Sequence, residues 1–237
     1  MDASEPVTIV VDPSERVSGL LRVPPAARAC YVLAHGAGAG MAHPFMTTVA
    51  AGLAERGIAT LRYQFPYMEH GSKRPDGPVL AHATVRAAVA AAAQRLPGMP
   101  LFAGGKSFGG RMTSQAQAAV PLPGICGLAF LGFPLHPAGK PSDERAAHLA
   151  DVDVPMLFLQ GTRDALATPD LLRAVLERLG GRATLHWSDG ADHSFHVQVR
   201  SGRTDAQVLT QLLDRMAAWM LDDSAQSGSP GEGRAKK

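Results

Sequence analysis

The sequence predicts an α/β architecture, with a mainly parallel sheet opened by an antiparallel hairpin and covered by helices on both faces. Three observations carry this reading. Strand-like and helix-like segments alternate from about residue 28 onward, the order that builds parallel sheets between helical layers. The strand candidates are continuous apolar runs, as strands buried on both faces require. One of them runs through two glycines into a serine and then directly into a helix.

The elements follow in order. Val7–Val11 and Gly19–Val23 are short β-rich runs around a Pro13-Ser14 turn, which reads as an antiparallel hairpin. Ala29–Ala34 is an unbroken apolar strand ending at His35-Gly36. Phe45, Val49 and Leu53 set a helical period between Pro44 and Arg56, stopped by Gly57. Ile58–Phe65 is a strand again, and the Ala-rich Val79–Arg95 is a helix closed by Leu96-Pro97-Gly98. Leu101–Gly105 is a core strand that passes into Ser107 and a helix reaching about Val120. Ile125–Leu131, Met156–Gln160 and Thr184–Trp187 complete the strands. Pro169–Leu179, capped by Thr168, and Asp205–Leu221 complete the helices. Residues 1–221 are therefore expected to form one domain. Asp222 to Lys237 is Ser, Gly, Pro, Ala and charge, a composition that predicts disorder.

Composition narrows the function classes. Of 237 residues, 46% are apolar, enough for a sizeable core. The 23 Lys and Arg against 21 Asp and Glu leave a formal charge of +2, scattered rather than gathered into a patch, which argues against a nucleic-acid partner. Cys30 and Cys126 lie far apart in strand-like runs and read as small hydrophobes, not as a disulfide framework. The acidic N-terminus lacks the apolar core of a signal peptide. No apolar stretch approaches the ~18 residues of a membrane span. The expectation is a soluble, cytoplasmic protein with a small-molecule substrate; oligomeric state is not legible.

Gly105-Lys106-Ser107-Phe108-Gly109 matches G-x-S-x-G between a predicted strand and a predicted helix. In that context the serine sits on a strained turn that projects its hydroxyl above the carboxyl end of the sheet. Glycine two before and two after has a steric cause, because a Cβ at either place would strike the neighbouring strand or helix. The helix start supplies free N–H groups and the positive end of its dipole for an oxyanion. Two rival motifs fail on register. A P-loop ending in Gly105-Lys106-Ser107 needs glycine where Pro100 stands, and a dinucleotide fingerprint over Gly36–Gly40 needs glycine at Met41. The run His35-Gly36-Ala37-Gly38 has a better use, as the loop that donates a second oxyanion N–H. Ala37 and Phe108 are the predicted backbone donors, and no cofactor is called for.

In a fold of this order the acid follows a late strand and the histidine the last one. Asp164 stands in the loop after Met156–Gln160, whereas Asp170 belongs to a helix turn and Asp153 to the wrong edge of the sheet. His193 lies in the loop after Thr184–Trp187 and is the predicted base, with His196 as runner-up. A His193/His196 metal pair is a third reading, but nothing in the sequence specifies further ligands, so no metal is predicted. Pocket walls are expected from Phe65-Pro66-Tyr67-Met68, Phe108, Phe133, His136 and Phe195, which flank the carboxyl ends of strands. Lys106 and Arg111 stand where they could attract an anionic substrate.

Several stretches together carry a resemblance: Leu33–Gly38, Arg62–Phe65, Gly104–Gly109, Phe133–Pro137, Gln160–Asp164 and Gly190–Ser194. On these the chain resembles the dienelactone-hydrolase-like side of the α/β-hydrolase superfamily. More narrowly it resembles the hydrolase-like domain of the mammalian testis-expressed and non-specific-lethal complex subunit family and its bacterial relatives. The resemblance implies an α/β-hydrolase fold without a separate lid domain. Dienelactone hydrolases proper carry cysteine as nucleophile where this chain has Ser107, so their substrate does not transfer. The expected activity is two-step acyl transfer on a small ester, thioester or lactone, with Ser107, His193 and Asp164 as the triad. The alternative from another class is a hydrolase-fold binding protein that does not turn over, which predicts a broken triad position.

Overall fold

The structure, a computed structural model, describes residues 4–222. The tail expected over 222–237 falls, apart from Asp222, outside them. The chain opens with the hairpin β1 (Glu5–Val10) and β2 (Arg16–Arg22), paired antiparallel with Val7 opposite Gly19. It then alternates through β3 (Ala29–Ala34), α1 (Pro44–Ala54), β4 (Ile58–Tyr63), a one-turn helix α2 (Pro66–Glu69) and α3 (Pro78–Arg95). The second half runs β5 (Leu101–Lys106), α4 (Phe108–Ala119), β6 (Ile125–Leu131), β7 (Met156–Gly161), α5 (Pro169–Leu179), β8 (Ala183–Ser188) and α6 (Asp205–Met220).

All eight strands join one sheet in the order β1-β2-β4-β3-β5-β6-β7-β8. β2 meets β4 antiparallel, and every pair from β4 through β8 is parallel. Chain order turns back between β4 and β5, placing the carboxyl ends of β3, β5, β6, β7 and β8 along one rim. That rim is where open α/β sheets bind ligands. The apolar runs explain the layering: β3, β4 and β7 are buried at every residue. Leu53 of α1 with Leu212 and Met216 of α6 cover one face. Val85 of α3, Met112 of α4 and Leu172 of α5 cover the other.

Two local expectations change. Thr168 holds the N-cap position of α5, but its side chain makes no capping bond. The predicted strand over Ile58–Phe65 ends at Tyr63, because Phe65 caps α2 and the chain turns at once into that helix. Between β6 and β7 there is only a loop and a 3-10 stretch, Glu144–Asp151, so among the described residues no lid domain is inserted there. Among the described residues no helix is long and apolar enough to cross a membrane.

Candidate active site

Ser107 caps α4 with φ 49 and ψ −112, a backbone region that β-substituted residues avoid. Packing on both sides enforces the turn. A Cβ on Gly105 (φ 153) would lie 2.2 Å from the Ala34 carbonyl oxygen, and one on Gly109 would lie 2.5 Å from that of His35. Strand β5 and helix α4 therefore approach β3 as only glycine permits, and the serine between them has no relaxed alternative. Its N–H donates to the Leu131 carbonyl at 3.2 Å, and its own carbonyl accepts from Arg111 N at 3.1 Å.

Three loops meet above this turn. Asp164, from the loop after β7, is buried, and its Oδ2 accepts from His193 Nδ1 at 2.7 Å. A carboxylate only accepts, so the ring proton sits on Nδ1 and Nε2 is left as an acceptor. Ser107 Oγ lies 2.9 Å from that Nε2 and donates to it. Ser107, His193 and Asp164 thus form one continuous hydrogen-bonded line. Asp164 is itself held: Gln160 Nε2 donates to Oδ2 at 2.5 Å, and Leu166 N donates to Oδ1 at 2.8 Å. The same Gln160 accepts from Phe133 N at 2.8 Å through its other amide atom. Sequence reasoning missed Gln160, although an amide ending an apolar strand needs partners for both its atoms and was a visible signal.

The glycine loop after β3 is fixed by groups beneath it. His35 is fully buried, and Phe65 N donates to its Nε2 at 3.1 Å. Its proton therefore sits on Nδ1 and is donated to Gly36 O at 2.8 Å. Burial pushes the His35 pKa down from 6.5 to about 4, so the ring is held neutral. Gly38 N donates to the Tyr67 hydroxyl at 3.0 Å, and Met41 N to Gln64 Oε1 at 2.8 Å. These bonds leave the Ala37 N–H unused. No protein acceptor among the described residues takes the N–H of Ala37 or of Phe108, and Phe108 opens α4, where the helix dipole is positive.

A cavity of about 370 Å³ opens beside Ser107 and His193, and its walls differ from the expected ones. Ala37, Ala39, His43, Phe45, Met46 and Ser194 are among its lining residues, so it lies toward α1. Tyr67, Met68, Phe133, His136 and Phe195 do not line it. Because α2 begins immediately after β4, Tyr67 folds under the glycine loop, and Met68 reaches Gly40 from below. Phe133 enters the core against Phe130 and Phe158, with ring centroids 5.2 and 5.7 Å away. His136 is buried with Nδ1 2.9 Å from Pro137 O. Phe195 stacks behind Phe45 at 6.2 Å and supports a wall without forming it. Phe45 escaped notice because its helical spacing with Val49 and Leu53 reads as core.

The other candidates separate. His196 turns away from His193, its Nδ1 bonding Asp205 Oδ2 at 2.8 Å, and that carboxylate raises its pKa. Lys106 does line the cavity, but its Nζ is not free: it donates to the His193 carbonyl. The Arg111 guanidinium lies 5.9 Å from the Phe108 ring centroid.

Comparison with known proteins agrees with this fold. The sequence pattern of the "Alpha/beta hydrolase domain" family matches residues 27–221. The fold is shared with a dienelactone hydrolase from Anabaena variabilis at 21% identity and TM-score 0.76, over 92% of this chain and 96% of that one. An α/β serine hydrolase homologue from Coxiella burnetii aligns at 21% identity and TM-score 0.73, over 91% and 98%. A lidless α/β serine hydrolase from Xanthomonas campestris aligns at 22% and 0.69, over 90% and 94%.

Proposed function

The chain belongs to the α/β-hydrolase family, and on that premise we propose that it is a serine hydrolase acting by two-step acyl transfer on a small ester, thioester or lactone. One observation carries the reading: the unbroken line from Ser107 Oγ through His193 to the buried Asp164, at 2.9 and 2.7 Å. Such a line lets the imidazole accept the serine proton while the carboxylate stabilises the resulting imidazolium.

In the first step Ser107 Oγ attacks the acyl carbon as His193 Nε2 takes its proton. The carbonyl oxygen becomes an oxyanion, for which the free N–H groups of Ala37 and Phe108 are the assigned donors. Each such donor lowers the barrier by on the order of 3 kcal/mol. Collapse returns the proton from His193 to the leaving oxygen or sulfur and leaves Ser107 acylated. Water, deprotonated by the same nitrogen, then attacks the acyl group, and Ser107 recovers its proton as the acid departs. The small cavity toward α1 suits a short acyl group, and its Phe45 and Met46 walls favour an apolar one.

The test is labelling with a fluorophosphonate probe and mass mapping, on wild type and Ser107→Ala in parallel. Labelling at Ser107 that disappears in the alanine variant and falls in His193→Ala supports an activated serine. A folded wild type that does not label overturns the reading in favour of a hydrolase-fold binding protein.

A further inference from the structure

Lys106 stands between Gly105 and the proposed nucleophile, yet its side chain serves other loops. Its stem runs beside the glycine loop, where a Cβ on Gly36 would come within 3.4 Å of Lys106 Cγ. Its ammonium reaches the space left by a second glycine, 3.0 Å from where a Cβ on Gly132 would lie. There Nζ donates to the His193 carbonyl at 2.6 Å and stands 5.5 Å from the Phe195 ring centroid. No other protein donor to that carbonyl occurs among the described residues.

The loop needs such a tether. Phe195, two residues on, has φ 63 without being glycine, a strain that persists only where surrounding contacts over-determine the backbone. Asp192 Oδ1 fixes one side of the turn by accepting from Ser194 N and His196 N at 2.8 and 3.0 Å. The carbonyl of His193 itself is left to Lys106. Burying an ammonium to reach a neutral carbonyl is costly, and burial lowers the Lys106 pKa to about 8, with Asp164 and Asp192 opposing the drop. A charge-assisted bond is roughly twice as strong as a neutral one, so the arrangement trades solvation for a short, directed hold on one backbone atom.

We propose that Lys106 is a positioning residue for the reaction proposed above: its ammonium pins the His193 carbonyl and so keeps the imidazole in line between Ser107 and Asp164. The inference rests on the serine-hydrolase reading for its consequence in rate, but its structural half can be tested separately.

The experiment compares wild type with Lys106→Met, which keeps length and removes the donor, and Lys106→Arg, which keeps a charged donor. Fluorophosphonate labelling is followed over a range of probe concentrations to separate maximal rate from half-saturation. Proton NMR follows the deshielded proton between His193 Nδ1 and Asp164, and thermal unfolding reports folding. Lys106→Met is expected to lower the maximal rate about tenfold to a hundredfold, the scale of a ~1 Å misplacement, with half-saturation unchanged. The NMR signal should shift or broaden, and Lys106→Arg should recover both. If Met is not accommodated, Lys106→Gln carries the comparison, with an intermediate loss. A wild-type maximal rate and an unmoved signal in Lys106→Met would overturn the proposal, as would a change confined to half-saturation, the mark of a substrate contact. A wild type that never labels sinks the hydrolase reading alone, and the NMR comparison then decides the tether.

Discussion

Acidification should loosen this protein through His35, because the ring works only when neutral. Phe65 N–H points at Nε2, so a proton on that nitrogen would set two donors against each other inside a fully buried site. Burial holds the folded pKa at about 4, against 6.5 for the exposed ring. The sign follows from linkage. Between those two values the unfolded chain binds a proton that the folded chain refuses, so stability rises with pH across the window. The contribution is complete above 6.5 and is lost as pH falls toward 4, a total of about 3 kcal/mol at ~1.4 kcal/mol per pH unit. That is a large share of the ~5–15 kcal/mol that typically separates folded from unfolded.

The assay is urea unfolding of wild type and His35→Gln at a series of pH values. Gln keeps an acceptor for Phe65 N–H but does not titrate. His148, also lowered to about 4 by burial and by Arg111, is present in both proteins and cancels in the difference. At neutral pH wild type should be the more stable, and the gap should shrink by about 3 kcal/mol as pH approaches 4. A gap that stays constant across the window would refute the assignment of a neutral, pinned His35.

Three further outcomes are expected. Gly161→Ala places a Cβ 2.3 Å from Ala191 O and 2.7 Å from Asp192 O. It should destabilise by about 1–3 kcal/mol and slow Ser107 labelling more than its shift in urea midpoint accounts for, since the displaced loop carries His193. Gln160→Leu orphans the buried Phe133 N–H, at a cost of about 1–3 kcal/mol, and leaves Asp164 Oδ2 with His193 Nδ1 as its remaining donor. Chemical denaturation should show the loss, and the labelling rate should fall with it. His196→Ala should leave labelling essentially unchanged, because the ring is exposed and faces Asp205. A fall like that of His193→Ala would instead reinstate His196 as the base.

Most of the fold and the line of Ser107, His193 and Asp164 were legible because their signals are local. A strand buried on both faces must be an apolar run, and an elbow must have glycine at 105 and 109 or its backbone collides. The cavity walls were not legible, for a reason visible at Phe65 and Tyr67. Proximity to a strand end predicts which residues reach the rim, but not whether the next turn carries them over it or under it. Here Pro66 starts a helix within three residues of β4 and sends Tyr67 under the glycine loop. Phe45 shows the converse: helical spacing marks a core face, and the first turn of that face looks into the cavity. His35 and Lys106 were hidden because each acts on a backbone atom distant in sequence, and Gln160 signalled a need for partners without naming them, since one of the two, Phe133 N, lies on another loop.

Those three residues share one arrangement. Among the described residues no covering domain presses on the three loops, and each loop is tied from within the sheet. His35, just beyond β3, holds the glycine loop through Gly36 O. Gln160, within β7, holds Asp164 and reaches across to Phe133 N. Lys106, the last residue of β5, holds the His193 carbonyl. Every tether starts at or next to the carboxyl end of a buried interior strand, and from Phe102 onward β5 pairs in parallel with β3 on one side and β6 on the other. The relative placement of the three loops is therefore inherited from the pairing of the strands they leave. The site should keep its geometry without substrate, and a substitution at a tether should act on rate before it acts on binding.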